Sequence, residues 1–246
     1  MLRVFLLAVR AFAARLFAAR VPAAGIVAGM LLCGCGGSET VGRSTSQHGD
    51  PLFTGAVNEA TFASFHTHGG AARGPYFGQE LRVGDARVYQ ALPRSPGPHP
   101  GVIVVHEWWG LNGHIQHWTD RLAALGYAAV AVDLYGGRTA TTPEDAMALV
   151  RSVGDAEALA TLRAAAAHLR AGGARKLGVM GWCFGGGWSL RAGVEVEGID
   201  ATVMYYGRPI TEPEALGSFR GPLLGIFGND DASIPPETVD AFGEAL

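Results

Sequence analysis

From Arg82 onward, short apolar runs alternate with segments of helical periodicity. Runs such as GVIVV (101–105) and KLGVMGW (176–182) have the length of a strand and lack the polar alternation of a half-exposed one, so they predict strands buried on both faces. Segments such as 114–125 and 156–170 place apolar residues three and four positions apart, which predicts helices. This alternation is typical of an α/β protein with a mostly parallel sheet and helices on both faces.

The predicted elements fit a single domain. Strands are predicted at 87–92, 101–105, 127–133, 176–182, 201–207 and 222–228, and helices at 114–125, 143–150, 156–170 and 184–192. The chain of 246 residues is 48% hydrophobic and 17% charged, which is enough apolar material for one sizeable core. Its formal net charge is -3, so the composition gives no reason to expect nucleic acid or an acidic partner.

The first 35 residues differ in composition from the rest of the chain. They contain four arginines and no acidic residue, and an apolar run at 21–32 leads into LLCGCGG. The run is shorter than the ~20 residues that span a bilayer, so the pattern predicts a secretion signal at 1–35. Leu32 to Cys35 resembles a bacterial lipobox, so we expect lipidation of Cys35 and an exported protein, periplasmic or membrane-anchored through that lipid. Ordinary cleavage nearby, an organellar transit peptide and a misassigned start are the alternatives.

Residues 36–75 are rich in Gly, Ser, Thr and Ala, which predicts a flexible tether before a folded domain at 76–246. Because Cys33 and Cys35 belong to the signal region, Cys183 is the only thiol of that domain and has no partner for an internal disulfide. In an oxidising compartment such a cysteine is either buried and inert or kept for its reactivity.

Cys183 lies in the sequence GWCFGG (181–186), between a predicted strand and a predicted helix. A nucleophile elbow needs this order, and it needs small residues two positions before and after the nucleophile, which Gly181 and Gly185 provide. The helix directs its N-terminal amides toward the sulfur, so we expect a lowered thiol pKa and stabilisation of an oxyanion. A glycine-rich turn with an incidental buried cysteine is the alternative.

Four motifs, in this order along the chain, resemble those of the dienelactone hydrolases: HEWWGLN (106–112), DLYGG (133–137), GWCFGGG (181–187) and GNDDASIPP (228–236). The resemblance extends from about Arg82 to Leu246. It implies an α/β-hydrolase fold and a triad of cysteine, aspartate and histidine. It also implies hydrolysis of a small-molecule ester or lactone without a metal or an organic cofactor.

Glu107 follows the strand GVIVV, at the edge of the sheet where ligands of open α/β sheets bind. A carboxylate there can hold the resting thiol or accept its proton, and in the family the glutamate of this motif interacts with the nucleophile. An ion pair with a nearby arginine is the structural alternative. The backbone N–H groups of Trp108 and Phe184 are expected, from their positions, to form the oxyanion hole.

The family spacing GxxDxxIP assigns the acid of the triad to Asp231, with Asp230 as the alternative. An acidic pair in this turn could otherwise cap the helix that begins near Pro235. Arg138 follows DLYGG, close to where the family places an arginine that holds a substrate carboxylate, and a solvated loop arginine is the competing interpretation. Trp109, like Trp108, is expected to line the substrate pocket unless it packs in the core.

The triad histidine has no counterpart in this sequence. In this fold the order is nucleophile, acid, histidine, and the eight histidines all precede Cys183: His48, His66, His68, His99, His106, His114, His117 and His168. The sequence ends within a helical pattern, so we expect a truncated chain that lacks the last strand and helix and leaves an open sheet edge beside PLLGIFG (222–228). A divergent protein with another base, or none, is the alternative.

Two function classes follow from these observations. The first is a cysteine hydrolase of the dienelactone hydrolase (carboxymethylenebutenolidase) type, in which a thiolate attacks the ester carbonyl and water releases the acyl enzyme. The second is a non-catalytic, lipid-anchored binding module that keeps the fold and the pocket but lacks the base.

Overall fold

The computed structural model of the protein describes residues 77–246 and the backbone of a short strand at Leu2–Phe5. The predicted tether at 36–75, the lipidation site Cys35 and most of the predicted signal lie outside the described residues, so these stay predictions. Within the described part of the chain, no helix is both long and apolar enough to cross a bilayer.

The described residues form one eight-stranded sheet with the strand order β1-β8-β7-β6-β4-β5-β3-β2. Its strands are β1 (Leu2–Phe5), β2 (Gln79–Val83), β3 (Ala86–Ala91), β4 (Gly101–Val105), β5 (Ala128–Val132), β6 (Leu177–Trp182), β7 (Ala201–Tyr205) and β8 (Leu223–Gly228). Strands β4 to β8 pair in parallel, whereas β1, β2 and β3 pair antiparallel at the two sides of the sheet.

The parallel strands all end at one side of the sheet, which we call the carboxyl edge. Their register is close, since Val105 of β4 pairs with Val132 of β5 and with Gly181 of β6. Trp182 at the end of β6 pairs with Tyr205 at the end of β7. The residues that follow these strands therefore meet at the carboxyl edge, where open α/β sheets bind ligands.

The helices are α1 (Gly113–Ala124), α2 (Pro143–Ser152), α3 (Asp155–Ala171), α4 (Phe184–Glu195), α5 (Pro213–Leu216) and α6 (Pro236–Ala245). Helix α1 begins where the side chain of Asn112 accepts hydrogen bonds from the amides of His114 and Ile115. Helix α2 begins with a proline after a capping Thr142. Helix α4 starts directly after Cys183, so its N-terminus points at the carboxyl edge.

Apolar residues cover both faces of the sheet around β4. On one face, Ile103 and Val105 pack with residues of α3 and α4. On the other face, Val102 and Val104 pack with Ile115 of α1. Every residue of β4 is buried, which explains why its sequence is a continuous apolar run. The predicted mostly parallel sheet with helices on both faces is thus confirmed.

The structure has strands at both sides of the sheet that the sequence does not predict. Strand β2 is missed because its residues QELRV are largely exposed and carry little apolar periodicity. Strand β1 pairs antiparallel with β8, with Leu2 opposite Gly228 and Phe5 opposite Gly225. The expectation of an open edge beside β8 is therefore wrong over these four positions.

Candidate active site

Cys183 lies in the turn between β6 and α4, at the carboxyl edge. Its backbone has φ 53° and ψ -117°, so φ lies in the left-handed region that residues with side chains rarely adopt. A side chain at Gly181 would clash with the carbonyl of Gly185, and a side chain at Gly185 would clash with the carbonyl of Val105. The predicted need for glycine two residues before and after Cys183 thus has a direct steric cause.

The thiol of Cys183 is partly buried and accepts a hydrogen bond from the Phe184 amide. Burial raises the pKa of the thiol above its ordinary value, and the charges of Glu107 and Asp231 raise it further. The Phe184 amide lowers the pKa but does not compensate. The expected lowering of the thiol pKa is therefore wrong, because burial and two carboxylates outweigh the helix N-terminus. The resting cysteine is a neutral thiol.

Glu107 follows β4 in a tight turn, in which the Gly110 amide donates to the Glu107 carbonyl at 3.1 Å. The hydroxyl of Tyr206 donates to Oε1 of Glu107 at 3.2 Å. Burial and then the charge of Glu107 raise the pKa of Tyr206, so this phenol keeps its proton and remains a donor. A hydrogen bond from the end of β7 therefore holds the carboxylate whose charge acts on the thiol.

This role of Tyr206 is not predicted from the sequence, in which Tyr206 belongs to a predicted strand at 201–207. The structure ends β7 at Tyr205 and gives Tyr206 a φ of 39°, in the same left-handed region as Cys183. The following Gly207 lies so close to α4 that a side chain there would clash with the backbone of Gly186. A tyrosine–glycine pair at the end of a strand is the one signal in the sequence, and it is a weak one.

The turn after Glu107 is also held from β5. The hydroxyl of Tyr135 donates to the Trp108 carbonyl at 3.1 Å. Trp109 is only 6% exposed and packs in an apolar cluster with Tyr135, Ala140, Ala146 and Leu149. This burial favours the core-packing alternative for Trp109, and a substrate contact by its side chain stays a prediction. The oxyanion role of the Trp108 and Phe184 amides also stays a prediction.

Asp231 lies in the loop after β8. Its Oδ1 accepts hydrogen bonds from the amides of Ser233 at 2.8 Å and Ile234 at 3.2 Å. Asp231 is half-buried and its charge raises the pKa of Cys183, whereas Asp230 is exposed. The charge of Asp231 on the thiol favours Asp231 as the acid.

Arg138 is exposed on the loop after β5. Its Nε donates to the Tyr135 carbonyl at 3.1 Å, and its guanidinium also donates to the Ser152 hydroxyl at 3.3 Å. These contacts tie the arginine to its own loop and to the end of α2, so binding of a substrate carboxylate by Arg138 stays a prediction. Within residues 77–246, no group of three or more His, Cys, Asp or Glu side chains is arranged to hold a metal ion.

The chain resembles known proteins over this same region. A family model described as the dienelactone hydrolase family matches residues 86–246. A protein of Methylorubrum extorquens, named as a candidate carboxymethylenebutenolidase, is 33% identical over 182 residues, which are 67% of this chain. A protein of Escherichia coli with the same name is 34% identical over 176 residues, or 64% of this chain.

A solved structure gives the same result for the fold. The crystal structure of a candidate dienelactone hydrolase from Klebsiella pneumoniae matches with a TM-score of 0.63 and 31% sequence identity. The match covers 69% of this chain and 79% of that one. The alignments span 62% of the length of the Methylorubrum relative and 65% of the length of the Escherichia coli relative.

Proposed function

The chain belongs to the dienelactone hydrolase family, and from that premise we propose that it hydrolyses a carboxylic ester or lactone through Cys183. The arrangement around this thiol is the observation that carries the proposal. Cys183 lies on a left-handed turn before α4, the Phe184 amide donates to its sulfur, and the charges of two carboxylates act on it. The strained turn between a strand and a helix is what a nucleophile elbow requires.

The reaction needs a base, because the resting thiol is neutral. Glu107 is the carboxylate whose charge raises the pKa of Cys183 most strongly, and we propose that it accepts the proton of the thiol. The Tyr206 hydroxyl holds Glu107 in position for that transfer.

After the proton has moved to Glu107, the sulfur attacks the carbonyl carbon of the ester. The carbonyl electron pair moves to oxygen, and the amides of Phe184 and Trp108 bind the oxyanion. When the intermediate collapses, the leaving alkoxide takes the proton from Glu107 and a thioester remains on Cys183. Water then hydrolyses the thioester and restores the thiol.

Three further side chains have secondary roles in this proposal. Asp231 is the acid of the site, and the amides of Ser233 and Ile234 hold its Oδ1. Arg138 is assigned to a substrate carboxylate, and such a contact requires it to leave the Tyr135 carbonyl. Trp109 contributes an apolar wall behind the turn that carries Glu107.

Variants of the nucleophile and of the acid test the proposal with an aryl ester as substrate. Cys183→Ala should lose hydrolysis and thiol alkylation at this position, and peptide mass spectrometry separates Cys183 from Cys33 and Cys35. Asp231→Asn should lower the rate, whereas the neighbouring Asp230→Asn should leave it unchanged. Undiminished turnover by Cys183→Ala would end the proposal.

A non-catalytic binding module on the same fold is the second candidate function. The raised thiol pKa favours it, because the thiolate and not the thiol is the nucleophile. The two candidates differ in a mass measurement after incubation with an ester or a lactone. A hydrolase gives a transient acyl adduct on Cys183, whereas a binding module gives heat of binding in calorimetry with an unmodified thiol.

Export and a lipid anchor at Cys35 are part of the proposal on sequence grounds alone. The competing outcome is that the N-terminal residues are retained and Leu2–Phe5 pairs with β8. The two outcomes exclude each other, because residues that are removed with a signal cannot stay in the sheet. Expression in a bacterium with radiolabelled palmitate should label the protein, and Cys35→Ala should abolish the label. An unlabelled protein with an intact N-terminus would favour the retained strand and count against the anchor.

A further inference from the structure

His106 lies between β4 and Glu107, and its ring is fully buried. Its Nδ1 is 2.6 Å from the carbonyl oxygen of Glu107, and its Nε2 is 3.1 Å from the amide nitrogen of Leu134. A carbonyl oxygen can only accept a hydrogen bond and an amide N–H can only donate one. The proton is therefore on Nδ1, the lone pair of Nε2 accepts, and the two backbone groups select one neutral tautomer.

The ring of His106 packs behind the nucleophile turn. Its centroid is 4.6 Å from that of Tyr135 and 5.8 Å from that of Phe184, with the latter pair nearly parallel at 22°. Phe184 directly follows Cys183, and the Tyr135 hydroxyl binds the Trp108 carbonyl. His106 thus lies between the segments that carry the thiol, the turn of Glu107 and the loop after β5.

The same contacts exclude His106 as the base that takes the proton of Cys183. Protonation of Nε2 would set an N–H against the Leu134 N–H and would bury a charge. Burial holds the pKa of His106 below its ordinary value, although the hydrogen bond to the Glu107 carbonyl and the charge of Asp133 act in the opposite direction. The ring has no lone pair left to take a proton from Cys183.

We propose that His106 is a positioning residue, which holds the Glu107–Trp108 turn at one distance from the nucleophile through a single neutral tautomer. It connects β4 to β5 through Leu134, and it fixes the Glu107 carbonyl at the start of the turn. The consequence for activity depends on the proposed roles of Glu107 and of the Trp108 amide. The tautomer and the two hydrogen bonds do not depend on that function.

Nuclear magnetic resonance of the full chain with ¹⁵N-labelled histidine tests the first part. The signals of His106 are assigned by their loss in His106→Gln. We expect a neutral ring with the proton on Nδ1 and no titration between about pH 5.5 and about pH 8. Titration within that range, or a proton on Nε2, would overturn the proposal whether or not the protein is active.

Substitutions test the positioning role. His106→Gln places an amide oxygen near the position of Nε2, so the Leu134 amide should stay protected from hydrogen exchange and kcat should stay within about 3-fold of the wild type. His106→Leu offers no acceptor, so that protection should be lost and kcat should fall about 10-fold or more. His99→Gln, in the loop before β4, is the control and should change neither. Equal losses of ~10²–10⁴ for Gln and Leu would identify His106 as the base and overturn the proposal. If the chain has no measurable turnover, the proposed function fails, and the exchange of the Leu134 amide still decides the role of His106.

Discussion

Two turns meet beside Cys183, and they are held in different ways. The turn at 181–186 is held by steric fit, because glycine backbones approach neighbouring carbonyls too closely for any side chain. The turn at 106–110 is held by hydrogen bonds between Leu134 and His106, from Tyr135 to the Trp108 carbonyl and from Tyr206 to Glu107. A sterically held turn can be identified from glycine spacing, whereas a hydrogen-bonded turn depends on partners far away in the sequence.

Removing the charge of Glu107 should have the largest effect, and it should act in opposite directions on two measurements. Glu107→Gln removes the proposed base, so turnover of an aryl ester should fall by ~10²–10⁴. It also removes a negative charge beside the thiol, so the pKa of Cys183 should fall and its alkylation by iodoacetamide near pH 8 should become faster. Slower alkylation together with slower turnover would mean that the variant has disturbed the turn at 181–186 itself.

The turn at 181–186 should be sensitive to added volume. Gly185→Ala places a methyl group against the carbonyls of Val105 and His106, and backbone atoms cannot move aside, so the free energy of unfolding should fall by about 3 kcal/mol. Chemical denaturation measures this loss.

Gly187→Ala is the matched control for that experiment. The added methyl group would have its nearest neighbour 3.6 Å away at the Arg208 amide, which is ordinary contact. Alanine also favours the helix, so we expect unchanged or slightly higher stability, within about 1 kcal/mol. Equal losses for both variants would show that close approach is not what holds the turn.

The hydrogen-bonded turn should tolerate the loss of one bond. Tyr206→Phe removes the donor to Glu107 and should lower the free energy of unfolding by about 1 kcal/mol while it reduces turnover. Tyr205→Phe removes a hydroxyl from the preceding residue and should change stability by less than about 0.5 kcal/mol. A larger loss of turnover in Tyr205→Phe than in Tyr206→Phe would contradict the assigned role of Tyr206.

The interior of the sheet is more predictable from the sequence than its sides, for a physical reason. The fully buried β4 is a continuous apolar run, and its prediction at 101–105 matches the structure residue for residue. Helix α1 is predicted within one residue at each end because its apolar positions recur with helical period. Strand β2 is missed, because a mostly exposed strand at the side of a sheet has no such pattern.

In the candidate active site, too, some features are predictable from the sequence and others are not. The positions of Cys183, Glu107 and Asp231 after parallel strands are predictable from motifs, and the charges of both carboxylates act on the thiol. The direction of the thiol pKa is not predictable in this way, because it depends on the depth of burial and on carboxylates from two other strands. The left-handed backbone of Tyr206 is also not predictable from the sequence, because it follows from the close approach of Gly207 to Gly186 in α4.

Acid should have a small effect on the free energy of unfolding, and this effect should arise in the turn at 106–110 through His106. The pKa of His106 is lowered in the folded protein, so as the pH falls below the ordinary value of 6.5 the unfolded chain takes up a proton that the folded protein does not. The contribution of His106 to stability is therefore fully present above that value and is progressively lost as the pH falls below it. His106→Gln has no titrating ring but keeps the other ionisable groups, so the wild type should lose unfolding free energy relative to the variant as the pH falls from about 7 to about 5.5. A difference that stays constant over this interval, measured by denaturation at each pH, would mean that the His106 ring titrates normally and that its two hydrogen bonds do not hold the turn in its neutral form.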